Sequence, residues 1–148
     1  MMRLRSFEIV SFYCDKGISL PKRRSIFSAG YDIEAAADVV VPANSYILIP
    51  TGLKAYMESD EYLGLHIRSG LSIKKGLSLL NDEGVIDSDY YNNPGNEGHI
   101  MIAILNNTEK EVVIQKGDRI VQGIFKKYLL ADDDNVTDER LGGLGSTG

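Results

Sequence analysis

The sequence has a single cysteine, Cys14, and no tryptophan. One cysteine excludes an internal disulfide framework, so nothing covalent staples this chain. We read Cys14 as an ordinary strand residue rather than a reactive thiol. No apolar run approaches the roughly 18 residues of a membrane-spanning helix. The first ten residues, MMRLRSFEIV, are basic, but Glu8 and the polar residues after Val10 break any signal-peptide core. Without an export signal, a reducing cytoplasm is the expected compartment. Positive charge is also scarce. The formal net charge is −5, and no basic block exceeds Lys22-Arg23-Arg24. That argues against a nucleic-acid binder, which normally shows a basic face. An anionic partner would have to be small, held by a few donors and accompanied by a cation. A long amphipathic helix and an internal repeat are missing too.

What is present fits one all-β domain. The 148 residues are 43% hydrophobic and 25% charged, enough for a single core. Fifteen glycines and eight tyrosines punctuate short apolar stretches, the pattern of many strands and turns. From Tyr62 to Ile67, Leu63, Leu65 and Ile67 alternate with Tyr62, Gly64 and His66, the period of a half-buried strand. Val112-Val113-Ile114 runs into a Lys116-Gly117-Asp118 turn, and Arg119 to Phe125 reads as another strand. One short helix is expected, with Ser69 capping Leu71 to Lys75 and Gly76 stopping it. His99 to Leu105, HIMIAIL, is apolar on both faces. Such a strand needs a second sheet or a partner subunit to cover it. From Ala131 the chain turns acidic and nearly devoid of apolar residues, so it cannot fix itself by burial. We therefore divide the chain into a β domain, residues 1–130, and a linker with a glycine-rich C-terminal arm, residues 131–148.

Four stretches carry candidate chemistry. Arg68-Ser69-Gly70 follows a strand and opens the short helix. Backbone N–H groups, a hydroxyl and a guanidinium there suit an anion, although a plain helix start with a surface arginine has the same composition. Asn81 to Tyr90 clamps Val85-Ile86 between polar groups, and on an extended segment Asp87 and Asp89 point the same way. Paired carboxylates can activate water or hold a cation, whereas Asp-Ser-Asp is equally good turn chemistry. Gln122 interrupts the apolar strand Ile120 to Phe125, and a buried amide there must find partners. The tail from Arg140 offers a guanidinium, closely spaced glycines and the hydroxyls of Ser146 and Thr147. It is not a Walker A loop, since no Lys-Ser/Thr pair ends it and no helix follows. His66 and His99 are read as strand residues.

In this order the segments resemble the five short motifs of the trimeric-type dUTPase family, enzymes that split dUTP into dUMP and pyrophosphate. Ala29-Gly30-Tyr31-Asp32-Ile33 is similar to the first motif. Arg68-Ser69-Gly70-Leu71, with Lys74 and Gly76, is similar to the second, and Asn81 through Gly84-Val85-Ile86-Asp87-Ser88-Asp89-Tyr90 to the third. Gly117-Asp118-Arg119-Ile120-Val121-Gln122 resembles the fourth. Arg140 with Gly142-Gly143-Leu144-Gly145-Ser146-Thr147-Gly148 resembles the fifth. The likeness runs from about Ser28 to the end, and the set of five is specific where no single motif is.

The resemblance implies a jelly-roll-like β-barrel or sandwich, a homotrimer with sites at subunit interfaces, and an arm closing over a neighbouring subunit's site. It implies that Asp87 is the general base that orients the attacking water and also contacts the sugar. Gln122 would fix that water or a phosphate. Arg68, Ser69 and Gly70 would bind phosphates, joined by Arg140, Gly145, Ser146 and Thr147 from the arm. Asn81, Gly84, Val85, Ile86 and the backbone near Met101 would read uracil, with Leu144 as the lid. Tyr90 would lie under the deoxyribose, and Asp32 would order the site from behind, through an arginine. Magnesium would be held by phosphate oxygens and water rather than by protein ligands. No nucleic-acid or membrane partner is implied.

Two features depart from the family pattern. Leu144 stands where an aromatic lid is usual. Tyr91 to Asn96 looks like an insertion that lengthens the hairpin, and its Tyr91 is one candidate for the missing aromatic. A dCTP deaminase-like enzyme of the same fold, or a non-catalytic nucleotide- or partner-binding trimer, are the rival readings.

Overall fold

The computed structural model describes residues 2–147. Met1 and Gly148, the last residue of the fifth motif, therefore lie outside the described residues. Eleven strands and one short helix follow the chain in this order. They are β1 (Ser6–Ile9), β2 (Tyr31–Glu34), β3 (Val39–Val41), β4 (Tyr46–Pro50), β5 (Leu53–Tyr56), β6 (Glu61–Ile67), α1 (Ser69–Lys75), β7 (Leu77–Leu79), β8 (Gly84–Asp87), β9 (Met101–Asn106), β10 (Val112–Ile114) and β11 (Arg119–Lys127). The largest sheet has the order β2-β11-β6-β8, and a second runs β4-β9-β7. Two antiparallel pairs, β1-β5 and β10-β3, flank them. The result is an all-β, jelly-roll-like architecture with one helix.

Period-two patterning explains the sandwich. In β6, Leu63 and Leu65 are buried while Tyr62 and His66 face outward. In β9, Ile102, Ile104 and Asn106 are buried and alternate with half-buried Met101, Ala103 and Leu105. Ile33, Ile49, Leu63, Ile100, Ile102, Ile104 and Ile120 are among the fully buried side chains that meet in one core. Each contributes about 1.5–3 kcal/mol by leaving water.

Asn106 is the polar exception at the end of β9. Its Nδ2 donates to the Val41 and Lys110 carbonyls at 3.1 and 2.8 Å, and its Oδ1 accepts from the Thr108 N–H and hydroxyl at 2.9 and 2.8 Å. Every bond the amide can offer is used, so its burial carries none of the roughly 1–3 kcal/mol penalty of an unpaired polar group.

Three sequence expectations change in detail. Cys14 is not on a strand; it is exposed at the end of a short 3-10 turn, Ser11–Tyr13. Ser69 is the first residue of α1 rather than its cap. Arg68 holds the cap position through its backbone, since its carbonyl accepts from the Leu71 and Ser72 N–H groups and no side chain caps the helix. Gly76 does stop the helix, in the left-handed conformation at φ 66°. The doubly apolar HIMIAIL strand finds its core on one face only. Its other row, Met101, Ala103 and Leu105, is only half covered, beside exposed Tyr46 and Leu48 on β4.

His99 lies just before β9 and accepts a hydrogen bond from the Gly52 N–H at its Nε2, 2.9 Å away. That bond requires the neutral ring. Burial lowers the imidazole pKa from its ordinary 6.5, with the nearby Glu97 charge opposing more weakly. With a lowered folded-state pKa, the unfolded chain binds the proton first. Stability is therefore full above pH 6.5 and falls as pH drops through that value towards the folded pKa. Thermal melts between pH 8 and pH 5 should show this loss, and His99→Gln should remove it. An undiminished loss in the variant would assign it to another group.

Candidate active site

The sheet β2-β11-β6-β8 carries two distinct clusters of candidate residues, one at each end of β6. At the first end, Arg68 leaves β6 and Asp32 sits on β2, with Gln122 of β11 between them in register with Asp32 and His66. The Asp32 side chain is only 9% exposed and meets three guanidinium groups: Arg24 at 3.0 Å, Arg68 at 3.3 Å and Arg119 at 3.3 Å. One carboxylate thus gathers three cations, which leaves a local positive excess on an acidic protein. These residues border a cavity of about 240 Å³, lined by Arg24, Ser28, Gly30, Asp32, Arg68, Ser69 and Gln122. A side chain at position 30 would collide with the Gln122 amide, so glycine there keeps the cavity open. A Cβ on Gly70 would meet nothing, so its backbone stands clear for a ligand.

At the other end of β6, Asp87 ends β8 opposite Tyr62. The same short strand supplies Gly84, Val85 and Ile86 to a small pocket of about 80 Å³, together with Leu48, Leu65, Leu79, Asn81, Met101, Ile102, Ala103 and Leu144. Tyr90 is 5% exposed behind it. Its hydroxyl donates to the His99 carbonyl at 2.8 Å and accepts from Asn96 Nδ2 at 2.9 Å, so the ring is fixed before any ligand arrives.

The arm reaches this second cluster. After the exposed linker 131–139, Arg140 places Nη2 2.8 Å from Asp87 Oδ2 and Nε 2.8 Å from Asp89 Oδ1. Its side chain is 9% exposed, lies 5.6 Å from the Tyr90 ring centre, and also donates to Ser146 Oγ at 3.4 Å. The Asp89 hydrogen bond, opposed by burial, and then the charges of Asp89 and Asp87 raise its pKa above the ordinary guanidinium value. In the single chain the arm therefore rests on its own hairpin. Gly145 has φ 74°, and Ser146 and Thr147 are exposed at the tip.

The two clusters do not meet within one chain. Asp87 pairs with Tyr62, and Arg68 lies six positions further along β6, about 20 Å at roughly 3.3 Å per residue. Two members of the arginine set, Arg24 and Arg119, carried no assigned role in the sequence. Arg24 had a signal: it belongs to the basic block Lys22-Arg23-Arg24, and the Asp32 N–H bonds the Lys22 carbonyl at 2.9 Å, which draws that block to β2. Tyr91 is not beside the small pocket. It packs edge-on against Tyr56 and its hydroxyl donates to Glu8 at 2.6 Å, so it is committed to the β1-β5 side. A cavity of about 780 Å³ lies elsewhere, between residues 2–7 and Phe125, and holds none of the candidate residues.

A cationic cavity, and a small pocket lined by Gly84, Val85 and Ile86 with the Asp87 carboxylate next to it in the chain, fit an all-β hydrolase. The dUTPase family profile matches residues 16–148, further towards the N-terminus than the motifs alone reach. The chain belongs to the dUTPase family. It is 54% identical over 149 residues to the deoxyuridine 5'-triphosphate nucleotidohydrolase of Lactococcus lactis subsp. lactis, covering 99% of both chains. It is 40% identical over 133 residues to the enzyme of that name from Paramecium bursaria Chlorella virus 1, covering 86% of this chain and 89% of the viral one. Among solved structures, the dUTPase from Streptococcus mutans superimposes with a TM-score of 0.82 at 48% identity, covering 86% of this chain and 98% of that one.

Proposed function

We propose that the protein hydrolyses dUTP to dUMP and pyrophosphate, by attack of water on the α-phosphorus, at sites shared between copies of the chain. The observation that carries this reading is the build of β8. Four residues supply the walls of a small slot, Gly84 to Ile86, and then a carboxylate, Asp87, at its rim. Base recognition and water activation are thereby coupled through one rigid segment. A tight slot discriminates uracil from thymine by clash with the extra methyl. Attraction alone would not, since one methyl is worth only about 1–3 kcal/mol. The backbone of Val85-Ile86 and near Met101, with Asn81, reads the base edge, where a mismatch leaves buried groups unpaired. Tyr90 beneath the sugar leaves no room for a 2'-hydroxyl.

Asp87 acts as the general base and orients the water, with Gln122 fixing that water or a phosphate. Arg68, Ser69 and Gly70 hold phosphates, and Asp32 aligns Arg68. Arg140, Gly145, Ser146 and Thr147 exchange their resting contacts for phosphate oxygens, and Leu144 covers the base. In such a reaction the protein mainly positions groups and stabilises charge. Magnesium would be held by phosphate oxygens and water rather than by this chain's carboxylates. Asp32 is taken by three arginines, and the acidic group Glu58, Asp60 and Glu61 is paired with Arg5 and Lys127, so neither is a free cage for it. When bound, the ion neutralises phosphate charge and makes the α-phosphorus more electrophilic.

The roughly 20 Å between Asp87 and Arg68 supports an assembly in which the slot of one copy faces the cradle of another. A base must lie within about 3 Å of the proton it takes, directly or through one water, which these residues cannot satisfy alone. The half-covered row of β9 supports the same conclusion, and we assign the assembly as a homotrimer with each arm closing over a neighbouring subunit's site. Its expected place is the cytoplasm, with the exposed thiol of Cys14 suited to a reducing compartment; no described helix is long and apolar enough to cross a membrane.

The deciding experiment is pyrophosphate release with Mg²⁺ across dUTP, dTTP, dCTP and UTP, with ammonia measured on dCTP. Release from dUTP alone is expected. Ammonia without pyrophosphate would make the chain a deaminase, and silence on all four a binding protein.

A further inference from the structure

Lys126, His66 and Glu83 form a triangle on the outer face of the largest sheet, between the two clusters. His66 pairs in register with Gln122, and Lys126 with Tyr62, which itself faces Asp87. Lys126 Nζ donates to Glu83 Oε2 at 2.8 Å and to His66 Nε2 at 3.1 Å, and the Glu83 and His66 atoms lie 3.2 Å apart. An ammonium has three donors and no acceptor, so it serves both partners at once. None of the three side chains is more than 32% exposed, so water screens them only in part. The Lys126 hydrogen bond, opposed by burial, holds the Glu83 carboxyl below the usual carboxylate range. A glycine makes room for the triangle. A Cβ on Gly64 would stand 3.2 Å from His66 Nε2 and 3.3 Å from both Glu83 Cδ and Lys126 Cε, pressing on all three.

Glu83 belongs to the turn that joins the two main sheets. β7 lies in the β4-β9-β7 sheet and β8 in the β2-β11-β6-β8 sheet, and residues 80–83 cross between them. Leu80, Asn81 and Asp82 are exposed, and Asp82 takes φ 62°, a conformation disfavoured for a residue with a Cβ. At the start of the turn the Leu80 N–H bonds the Ala103 carbonyl at 3.0 Å, and at its end Glu83 carries the side-chain anchor. Residues on both sides of Glu83 line the small slot: Leu79 and Asn81 before it, and Gly84, Val85 and Ile86 after it. A shift of this turn therefore changes the width of the slot.

We infer that Glu83, held by Lys126 and His66, is a positioning residue that fixes the β7–β8 turn and so sets the width of the slot that selects the base. Exclusion by clash works only as far as the wall refuses to move, and the tether from β8's entry to β6 and β11 is what stiffens this wall. Asp87 keeps its own place at the far end of β8, so the effect falls on binding and selectivity rather than on the chemical step. The choice of base rests on the proposed dUTP hydrolysis; the tether itself does not.

Two variants of the full chain cut the tether from either side. Lys126→Met keeps the aliphatic stem and removes the ammonium, and Glu83→Gln keeps the shape and removes the charge. Without nucleotide, hydrogen exchange over residues 77–87, followed by mass spectrometry, should be about five-fold faster in either variant than in the wild type. Melting temperatures should not move. With Mg²⁺, kcat for dUTP should stay within about two-fold and KM should rise about five-fold, while the preference for dUTP over dTTP falls about ten-fold. Lys126→Arg should restore both exchange and preference. The double variant should be no worse than either single one, since both cut the same contact.

Wild-type exchange in both variants overturns the tether. Faster exchange with an unchanged preference for dUTP overturns its role in selectivity, as does a fall in kcat with KM unchanged. A wild type that leaves dUTP intact would sink the proposed hydrolysis and the choice of base with it, while the exchange difference still decides the tether.

Discussion

Asp87→Asn should lower the turnover of dUTP by about 10³-fold, some 4 kcal/mol of transition-state stabilisation, while leaving dUTP binding largely intact. The substitution is isosteric and sits on an exposed carboxylate at the end of β8, so the fold has no reason to respond. It removes the proton acceptor and one negative charge. The arm keeps its second anchor, because Asp89 still holds Arg140 Nε at 2.8 Å. Loss of turnover then reports the base rather than an undocked arm. Pyrophosphate release gives kcat, and titration with a non-hydrolysable dUTP analogue gives the Kd. Turnover within ten-fold of the wild type would assign the base elsewhere. The geometry along β6 adds a sharper form of the test. Asp87→Asn and Arg68→Ala chains, each nearly inactive alone, should recover activity when refolded together, because a mixed assembly pairs an intact Asp87 on one chain with an intact Arg68 on another. No recovery would mean that the clusters belong to the same site after all.

The sequence revealed its strands wherever one face is buried, because alternation of Leu63, Leu65 and Ile67 with Tyr62, Gly64 and His66 is a local property. It revealed the left-handed stop at Gly76 and the turn at Gly117, φ 89°, for the same reason. It could not show which side chains share a carboxylate. Arg24, Arg68 and Arg119 converge on Asp32 from three elements separated by up to 95 positions, and only strand pairing brings them together. Composition also misled at Tyr91. An aromatic next to the site motif is an obvious candidate for a lid, yet its neighbours are chosen by the loop that follows. Lys54 lies 5.2 Å from the Tyr91 ring centre and binds Asn92 and Glu97, which pulls the tyrosine to the β1-β5 side. Leu144 is thus left as the group at the mouth of the slot, 64% exposed and without an aromatic face. The opposite ends of β6 were likewise hidden. Motif order says that Arg68 and Asp87 belong together, while register puts them at opposite ends of β6 within one chain.

Deleting residues 141–148 should lower turnover about 10²-fold or more while moving stability by less than about 0.5 kcal/mol. The asymmetry follows from where the arm's surface is spent. No described residue from Ala131 onwards is buried, so truncation removes almost nothing from the core. What it removes is Leu144 at the small pocket, the hydroxyls of Ser146 and Thr147, and the glycines that lie against Gly95 and Asn96. Arg140 remains on Asp87 and Asp89 in the truncated chain, and this makes the deletion more damaging than a simple loss of contacts. Without the arm's remaining donors, less draws Arg140 from the carboxylates to the phosphates, and Asp87 stays paired instead of holding water. Truncation at Leu141 and truncation at Arg140 should therefore differ. Removing Arg140 as well frees Asp87, and the shorter chain should turn over dUTP no more slowly than the longer one despite having lost a further cation. A shorter chain that is much the slower would show that Arg140 serves the phosphates even without its arm, and that the ion pair with Asp87 never restrains the reaction. Melting curves on both truncations separate these outcomes from unfolding.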